Sequence, residues 1–482
     1  MNVADFVALL PLITISVTAV VVMIAIAIRR NHKVAIAISL IGVAASLMSL
    51  SLAASNAPLQ ITDFFILDSY SRLYMAILLG ATGVVFLFAY DYLKRRQERP
   101  EEFYLLVLLA TAGAMVLLVS RNFASFFLGL ELLSVALYSL IAYVRTQSTS
   151  IEAGIKYLVL AASSSSVLLF GLALIYADSG SMELSQFATA MTGISGSTNT
   201  IPLLIGLMLV LTGIGFKLAV VPFQLWTPDV YEGAPLPVTA FIATVSKAGM
   251  FAFLLRWFHV HGVGIAGTPG LVLTLIAIAS MLTGNLLALL QTNVKRILAY
   301  SSIAHMGYFL VALVAGGPLG APAATYYLIA YATTVLGAFG LMTILAGSRD
   351  EATSIDDYRG LLWKRPLVAS AFTITLLSLA GIPLTAGFLG KFYVVAAGAS
   401  QSRWILLFTL VISSTIGLFY YLRIIVALYS QQTDSGLVES SARPLPLPAT
   451  LVLTALAALI LLLGVYPAPL WDAIIAVTRD LG

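Results

Sequence analysis

The chain contains no cysteine, which excludes disulfides, thiolate metal sites and iron–sulfur clusters held by this chain. Charge is scarce as well. Only 10% of the 482 residues are Asp, Glu, Lys or Arg, against about a quarter in soluble domains, so the polar shell of a water-soluble fold is missing. No phosphate-binding loop, dinucleotide fingerprint or nucleophile elbow occurs. His259 and His261 stand in an outer loop at i, i+2 spacing, which is weak material for a metal site. The chain is therefore expected to hold no cofactor and no metal. Met1–Asp5 carry no lysine or arginine before the first apolar run. The basic start of a cleavable signal peptide is absent, and the first span is expected to persist as a helix.

What fills the chain is apolar: 60% of residues are hydrophobic. Apolar runs of at least ~18 residues recur from end to end, each long enough to cross the hydrocarbon of a bilayer. The fold class expected is an all-α integral membrane protein with about fourteen transmembrane helices. The expected spans are 6–28, 33–54, 70–92, 103–119, 123–143, 152–177, 201–226, 237–257, 270–290, 293–316, 322–346, 366–398, 402–430 and 446–468. The longest polar stretches, 177–200, 347–365 and 431–443, read as loops. Trp226, Trp257, Trp363, Trp404 and Trp471 fall near span ends and read as interfacial anchors.

The net charge of +4 reflects loops between spans, not a nucleic-acid surface. One set of loops holds sixteen basic residues, among them Arg29, Lys94, Arg145, Lys295, Arg359 and Arg423. The opposite set holds five: Arg72, Arg121, Arg256, Arg403 and Arg479. The positive-inside rule then places the first set in the cytoplasm and both termini outside it.

Four basic residues remain, Lys156, Lys217, Lys247 and Lys391, and all lie inside spans together with Glu131 and His305. An ionisable group at mid-membrane costs at least ~2.5–3.5 kcal/mol and by default marks a transport path. An amine held out of water gives up its proton more readily than a free one, and a nearby carboxylate opposes that loss. Such groups can relay protons without metal or covalent chemistry. Plainer readings stand beside this one. Lys156, one turn into its span, fits snorkelling or a Glu152–Lys156 helical pair. His305 fits a satisfied packing residue, and Glu131 a structural ion-pair partner. Ser163–Ser166 more often mean close helix packing than a water path.

Two spans share an unusual make-up, overlong and punctuated by glycine and proline beside a lysine. The seventh carries Gly213, Gly215, Lys217 and Pro222; the twelfth carries Gly381, Pro383, Gly387, Gly390 and Lys391. Each is a candidate broken helix of the kind that lines transporter pathways. They stand five spans apart, so any repeat relating them is inverted.

At these residues the chain resembles the antiporter-like membrane subunits of respiratory complex I. The resemblance rests on Gly129–Ser134, on Phe216-Lys217 through Pro222–Pro235, and on Thr244–Gly249. It continues through Asn293–Tyr308, Ala380–Pro383 and Gly390–Tyr393, in order along the chain. Within that family the Thr227–Pro235 wording is similar to the N-type branch. M-type chains usually carry glutamate where this one has Lys391, and L-type chains add a long lateral helix.

The resemblance implies three leading helices (1–100), two inverted five-helix repeats (101–260 and 261–430) and a final helix (431–482). It implies a proton relay of Glu131 and Lys217 in the first repeat and Lys247 leading to Lys391 in the second, with Lys156 and His305 as further members. It also implies a multi-pass protein of a bacterial inner membrane, moving protons beside other complex I membrane subunits. NAD, FMN, iron–sulfur clusters and quinone would belong to those partners. The rival reading is a subunit of a multisubunit cation/proton antiporter, which shares these motifs. A third is a structural spacer that has lost transport.

Overall fold

A computed structural model describes residues 3–53, 59–96, 99–184, 200–259, 267–347, 351–431 and 446–479. His261 and most of the 177–200 and 431–443 loops lie outside them.

In hydrocarbon every backbone N–H and C=O must be satisfied within the chain, so apolar runs become helices. Among the described residues thirteen helices are long and apolar enough to span a bilayer. In order they are Val3–Ile28, His32–Leu52, Ser69–Arg96, Glu101–Val119, Phe123–Ile141, Ser148–Ser179 and Ile201–Leu218. The rest are Leu236–Phe258, Gly267–Leu289, Val294–Ala315, Gly317–Leu345, Trp404–Tyr429 and Leu447–Val465. Two shorter helices, Pro366–Ala380 and Ala386–Ser400, together make the twelfth span. Counting that pair, fourteen spans are present, with ends shifted by a few residues except in the seventh, which was expected to reach 226 and ends at Leu218. A hairpin of two strands, Leu59–Ile61 and Phe65–Leu67, and a last short helix, Ala468–Thr478, were not expected.

The eighth, tenth and eleventh spans are buried nearly all round, whereas the first, sixth, ninth and thirteenth expose a broad apolar face. That contrast sets a protein-lined interior against a lipid-facing rim. Small residues bring the fourth and fifth spans together: a Cβ on Gly129 would sit 2.7 Å from the Leu117 nitrogen, and one on Gly113 2.6 Å from that of Leu133. The ninth and tenth spans meet in the same way through Gly284 and Gly307.

The breaks differ in detail from the expectation. The seventh helix runs straight through Gly213 and Gly215, which are packing positions: an added Cβ would strike Leu168 at 2.5 Å and Phe223 at 2.8 Å. The interruption comes after Leu218, where Ala219 turns left-handed (φ 59°) and a cis Val221–Pro222 bond follows. The short helix Trp226–Gly233 then leads into the eighth span. In the twelfth span the break falls at the expected glycine and proline, with Gly381 (φ 84°) and Leu384 (φ 73°) both left-handed. A further irregularity escaped prediction: residues Ile242–Ser246 form a π-turn immediately before Lys247. Such turns concentrate at functional sites.

Two tryptophans are not anchors. Trp226 is 3% exposed, and its indole N–H donates to the Phe216 carbonyl at 2.9 Å; Trp257 is also buried. Trp363 and Trp404 are exposed, as anchors should be. Arg256 is likewise no outer-loop charge. It is buried, and its guanidinium grips both oxygens of Asp68 at 2.7 and 2.8 Å.

Candidate functional site

Three of the four expected lysines are buried in the interior. Lys217 closes the seventh helix, and its ammonium donates to Ser134 Oγ of the fifth span at 2.6 Å. It lies 5.5 Å over the Tyr157 ring, a cation–π distance. Glu131 stands one helical turn before Ser134 on the fifth span. Its Oε1 is buried without a hydrogen-bond partner among the described residues. A buried polar oxygen without a partner is costly to hold as structure alone.

Lys247 follows the π-turn of the eighth span and is 1% exposed. It donates to Ser302 Oγ of the tenth span at 2.6 Å. That hydroxyl meets Tyr331 OH at 2.5 Å and Tyr231 OH at 3.4 Å. His305, one turn beyond Ser302, stands with its ring 5.2 Å from that of Tyr331. Its Nδ1 pairs with Tyr327 OH at 2.7 Å and its Nε2 with Tyr421 OH at 3.3 Å. Tyr308 lies 5.4 Å from the His305 ring and 5.3 Å from the Lys391 ammonium. Lys247, His305 and Lys391 thus stand along one row of hydroxyls and rings.

Lys391 sits on the second half of the broken span. The break leaves the last carbonyls of the first half without helical partners, at the negative end of its dipole. Lys391 donates to two of them, Leu379 at 2.9 Å and Ala380 at 3.0 Å, and to Ser414 Oγ at 2.8 Å. Its three N–H donors are all used.

Lys156 is not brought into this row. It is 44% exposed and paired with Glu152 at 2.8 Å and Asp229 at 2.9 Å, so the helical pair is present. It lines a polar pocket of about 220 Å³ with Thr149, Glu152, Asp229, Glu232 and Arg296. Burial pushes the Asp229 carboxyl up, but hydrogen bonds from Lys156 and Arg296 outweigh it and hold the group below its usual value. Of the serine run, Ser163 and Ser166 face outward and bond their own helix.

The serines and tyrosines that hold the lysines went unremarked in the sequence, being common types with no distinctive spacing. Tyr327 and Tyr331 are an exception, since i, i+4 places them on one helix face. The buried cluster around Glu351 was also missed. Lys295 donates to it at 2.8 Å and Tyr92 at 2.5 Å, while Arg96 lies 3.5 Å away. Burial raises the Glu351 carboxyl, and the Lys295 charge with these hydrogen bonds more than reverses that. The folded value lies below the unfolded one, so the cluster contributes stability above the unfolded pKa of about 4.3 and loses it as pH falls through the folded pKa. Thermal unfolding of the purified complex should show this chain losing stability below about pH 4.5. Glu351→Gln should remove that pH dependence and cost about 3–5 kcal/mol at neutral pH by stranding the buried cations. An unchanged melting profile would refute the assignment.

Comparison with known proteins adds to this geometry. The family model described as NADH:quinone oxidoreductase/Mrp antiporter, transmembrane, matches residues 120–417. NADH-quinone oxidoreductase subunit N of Ectopseudomonas mendocina (strain ymp) is 46% identical over 475 residues, 97% of this chain and 95% of that protein. A chain of respiratory complex I from Thermus thermophilus with bound aureothin superposes with a TM-score of 0.82 at 32% identity, over 96% of this chain and 99% of that one. A chain of the Mrp complex from Dietzia sp. DQ12-45-1b reaches a TM-score of 0.86 at 21% identity, over 100% and 98%. The backbone is common to both complexes, while sequence identity is higher to the first.

Proposed function

This chain belongs to the NADH:quinone oxidoreductase/Mrp antiporter family of membrane subunits, and we propose that it is an N-type, proton-translocating subunit of a bacterial NADH–quinone oxidoreductase. The observation that carries the reading is the set of three lysines buried in the interior of a membrane fold. Each is held by serine hydroxyls, and two of them are connected through His305 and tyrosines. Protons pass between Glu131 and Lys217 in one half, and from Lys247 through His305 to Lys391 in the other. The repeat of helices 4–8 in 9–13 is supported by the matching close pairs, fourth with fifth and ninth with tenth. Oxidation of NADH and reduction of quinone take place on partner subunits, and charge changes reaching this chain switch the lysines. The basic loops face the cytoplasm and both termini the opposite side of the inner membrane.

The test is proton pumping by the whole complex in sealed vesicles with Lys217→Ala or Lys391→Ala. Pumping should fall while the chain still assembles and NADH still reduces an artificial acceptor at the wild-type rate. Undiminished pumping in both variants would leave only a spacer role. Purification without redox subunits, together with rescue of growth under sodium stress, would favour the cation/proton antiporter instead.

A further inference from the structure

Twenty-nine residues of chain separate Lys217 from Lys247, and among them lies the short helix Trp226–Gly233. The first turn of the tenth span grips this connector at three points. Asn293, which caps that span by accepting from the Lys295 and Arg296 nitrogens, donates from Nδ2 to Glu232 at 3.0 Å. Arg296 donates to Glu232 at 2.7 Å and to Asp229 at 3.1 Å. Lys295, 1% exposed, donates to the Ala234 carbonyl at 2.7 Å. On its other side the connector meets the sixth span, where Lys156 takes the second oxygen of Asp229 at 2.9 Å. Gly233 lies so close that an added Cβ would be 2.5 Å from the Thr149 carbonyl oxygen.

Asp229 is therefore the one carboxylate, among the described residues, that ties the connector to both neighbouring spans at once. The same helix carries Tyr231, whose hydroxyl reaches the Ser302 hydroxyl that holds Lys247. Tyr231 also lies under the Lys247 ammonium at 5.5 Å. A shift of this helix changes the surroundings of Lys247 directly. It also pulls on the break that follows Lys217, where Trp226 is bonded back to the Phe216 carbonyl.

We infer that Asp229 is a positioning residue, a two-sided tie to Lys156 and Arg296 that keeps the connector seated so that Lys217 and Lys247 keep their partners and stay in register. This rests on the relay proposed above and gives Lys156 a place in it: it acts through Asp229 without carrying the proton. The groups facing Asp229 are Lys156, Arg296, Glu152 and Glu232. They are half-exposed, so the tie is within reach of bulk pH and salt.

The experiment uses the intact complex in sealed vesicles. Asp229→Asn should lower pumping about threefold to tenfold, the shift in population that losing two half-exposed ion pairs allows. NADH oxidation with an artificial acceptor should be unchanged, and Asp229→Glu should restore pumping. Raising the salt concentration should lower pumping in the wild type more than in Asp229→Asn, because screening acts on ion pairs that the variant has already lost. Lys247→Ala run in parallel separates the outcomes. If it abolishes pumping while Asp229→Asn leaves both rate and salt profile untouched, the tie is refuted and the relay stands. If Lys247→Ala itself pumps normally, the relay falls.

Discussion

Lys247→Met should reduce proton pumping by the assembled complex at least about a hundredfold, the lower range for losing a positioned acid–base group. Lys247→Arg should fail almost as badly. The second variant carries the argument. Arginine keeps the charge and can donate to the same Ser302 oxygen, but it does not release a proton in a protein. A structural ammonium in this position would be replaced well by a guanidinium, and pumping would survive. A group that must alternate between charged and neutral forms would not be. The site is suited to that alternation. Among the described residues Lys247 has one hydrogen-bonding partner, Ser302, where Lys391 has three, and Ser302 is itself within 2.5 Å of Tyr331. A hydroxyl can donate as well as accept, so it serves either form of the amine. Pumping rates in vesicles, with assembly followed by native electrophoresis, decide the matter. Near-normal pumping by Lys247→Arg would remove Lys247 from the relay.

How much of this was legible in the sequence depended on the length scale of the signal. Spans are long apolar runs in a solvent that forbids unsatisfied backbone, so fourteen could be counted and most of their ends placed within a few residues. Buried lysines stand out for the same reason, being charges where none is expected. The seventh break was misplaced because Gly213 and Gly215 look like hinges but serve close packing. The left-handed turn falls instead on Ala219, a residue type that does not advertise it. Lys156 shared a span with apolar neighbours, yet its orientation depends on which helix face meets lipid, which hydropathy does not encode. Trp226, Arg256 and Lys295 were assigned to interfaces and loops by position. Their burial is a tertiary fact: Asp68 and Glu351 come from far away in sequence, and Phe216 is brought back onto Trp226 by the turn between them. The serine and tyrosine contacts of the buried lysines were invisible on the same grounds.

Gly387→Ala should destabilise the chain by at least about 3 kcal/mol, the scale of overpacking against atoms that cannot move aside. Gly80→Ala should be neutral or slightly stabilising. Both residues lie in helices, where alanine is preferred over glycine by about 1 kcal/mol, so propensity alone predicts that both substitutions help. The surroundings reverse the sign at one of them. A Cβ on Gly387 would stand 1.8 Å from the Ser378 carbonyl oxygen and 2.7 Å from its carbon, while one on Gly80 would meet nothing within 4 Å. Ser378 is in the last turn of the first half-helix and Gly387 in the first turn of the second. The clash therefore forces the two halves of the twelfth span apart. The Gly387 nitrogen also donates to Ser378 Oγ at 3.1 Å, so the joint loses a hydrogen bond as it opens. Lys391 lies one turn further on and depends on the same joint, because its acceptors at Leu379 and Ala380 belong to the other half. Gly387→Ala should consequently lower both the amount of assembled complex and the pumping per assembled complex. The first is read by native electrophoresis and the second in vesicles normalised to chain content. Wild-type values on both counts would mean that the two half-helices are not held in contact at this point, and that Lys391 does not take its position from the break.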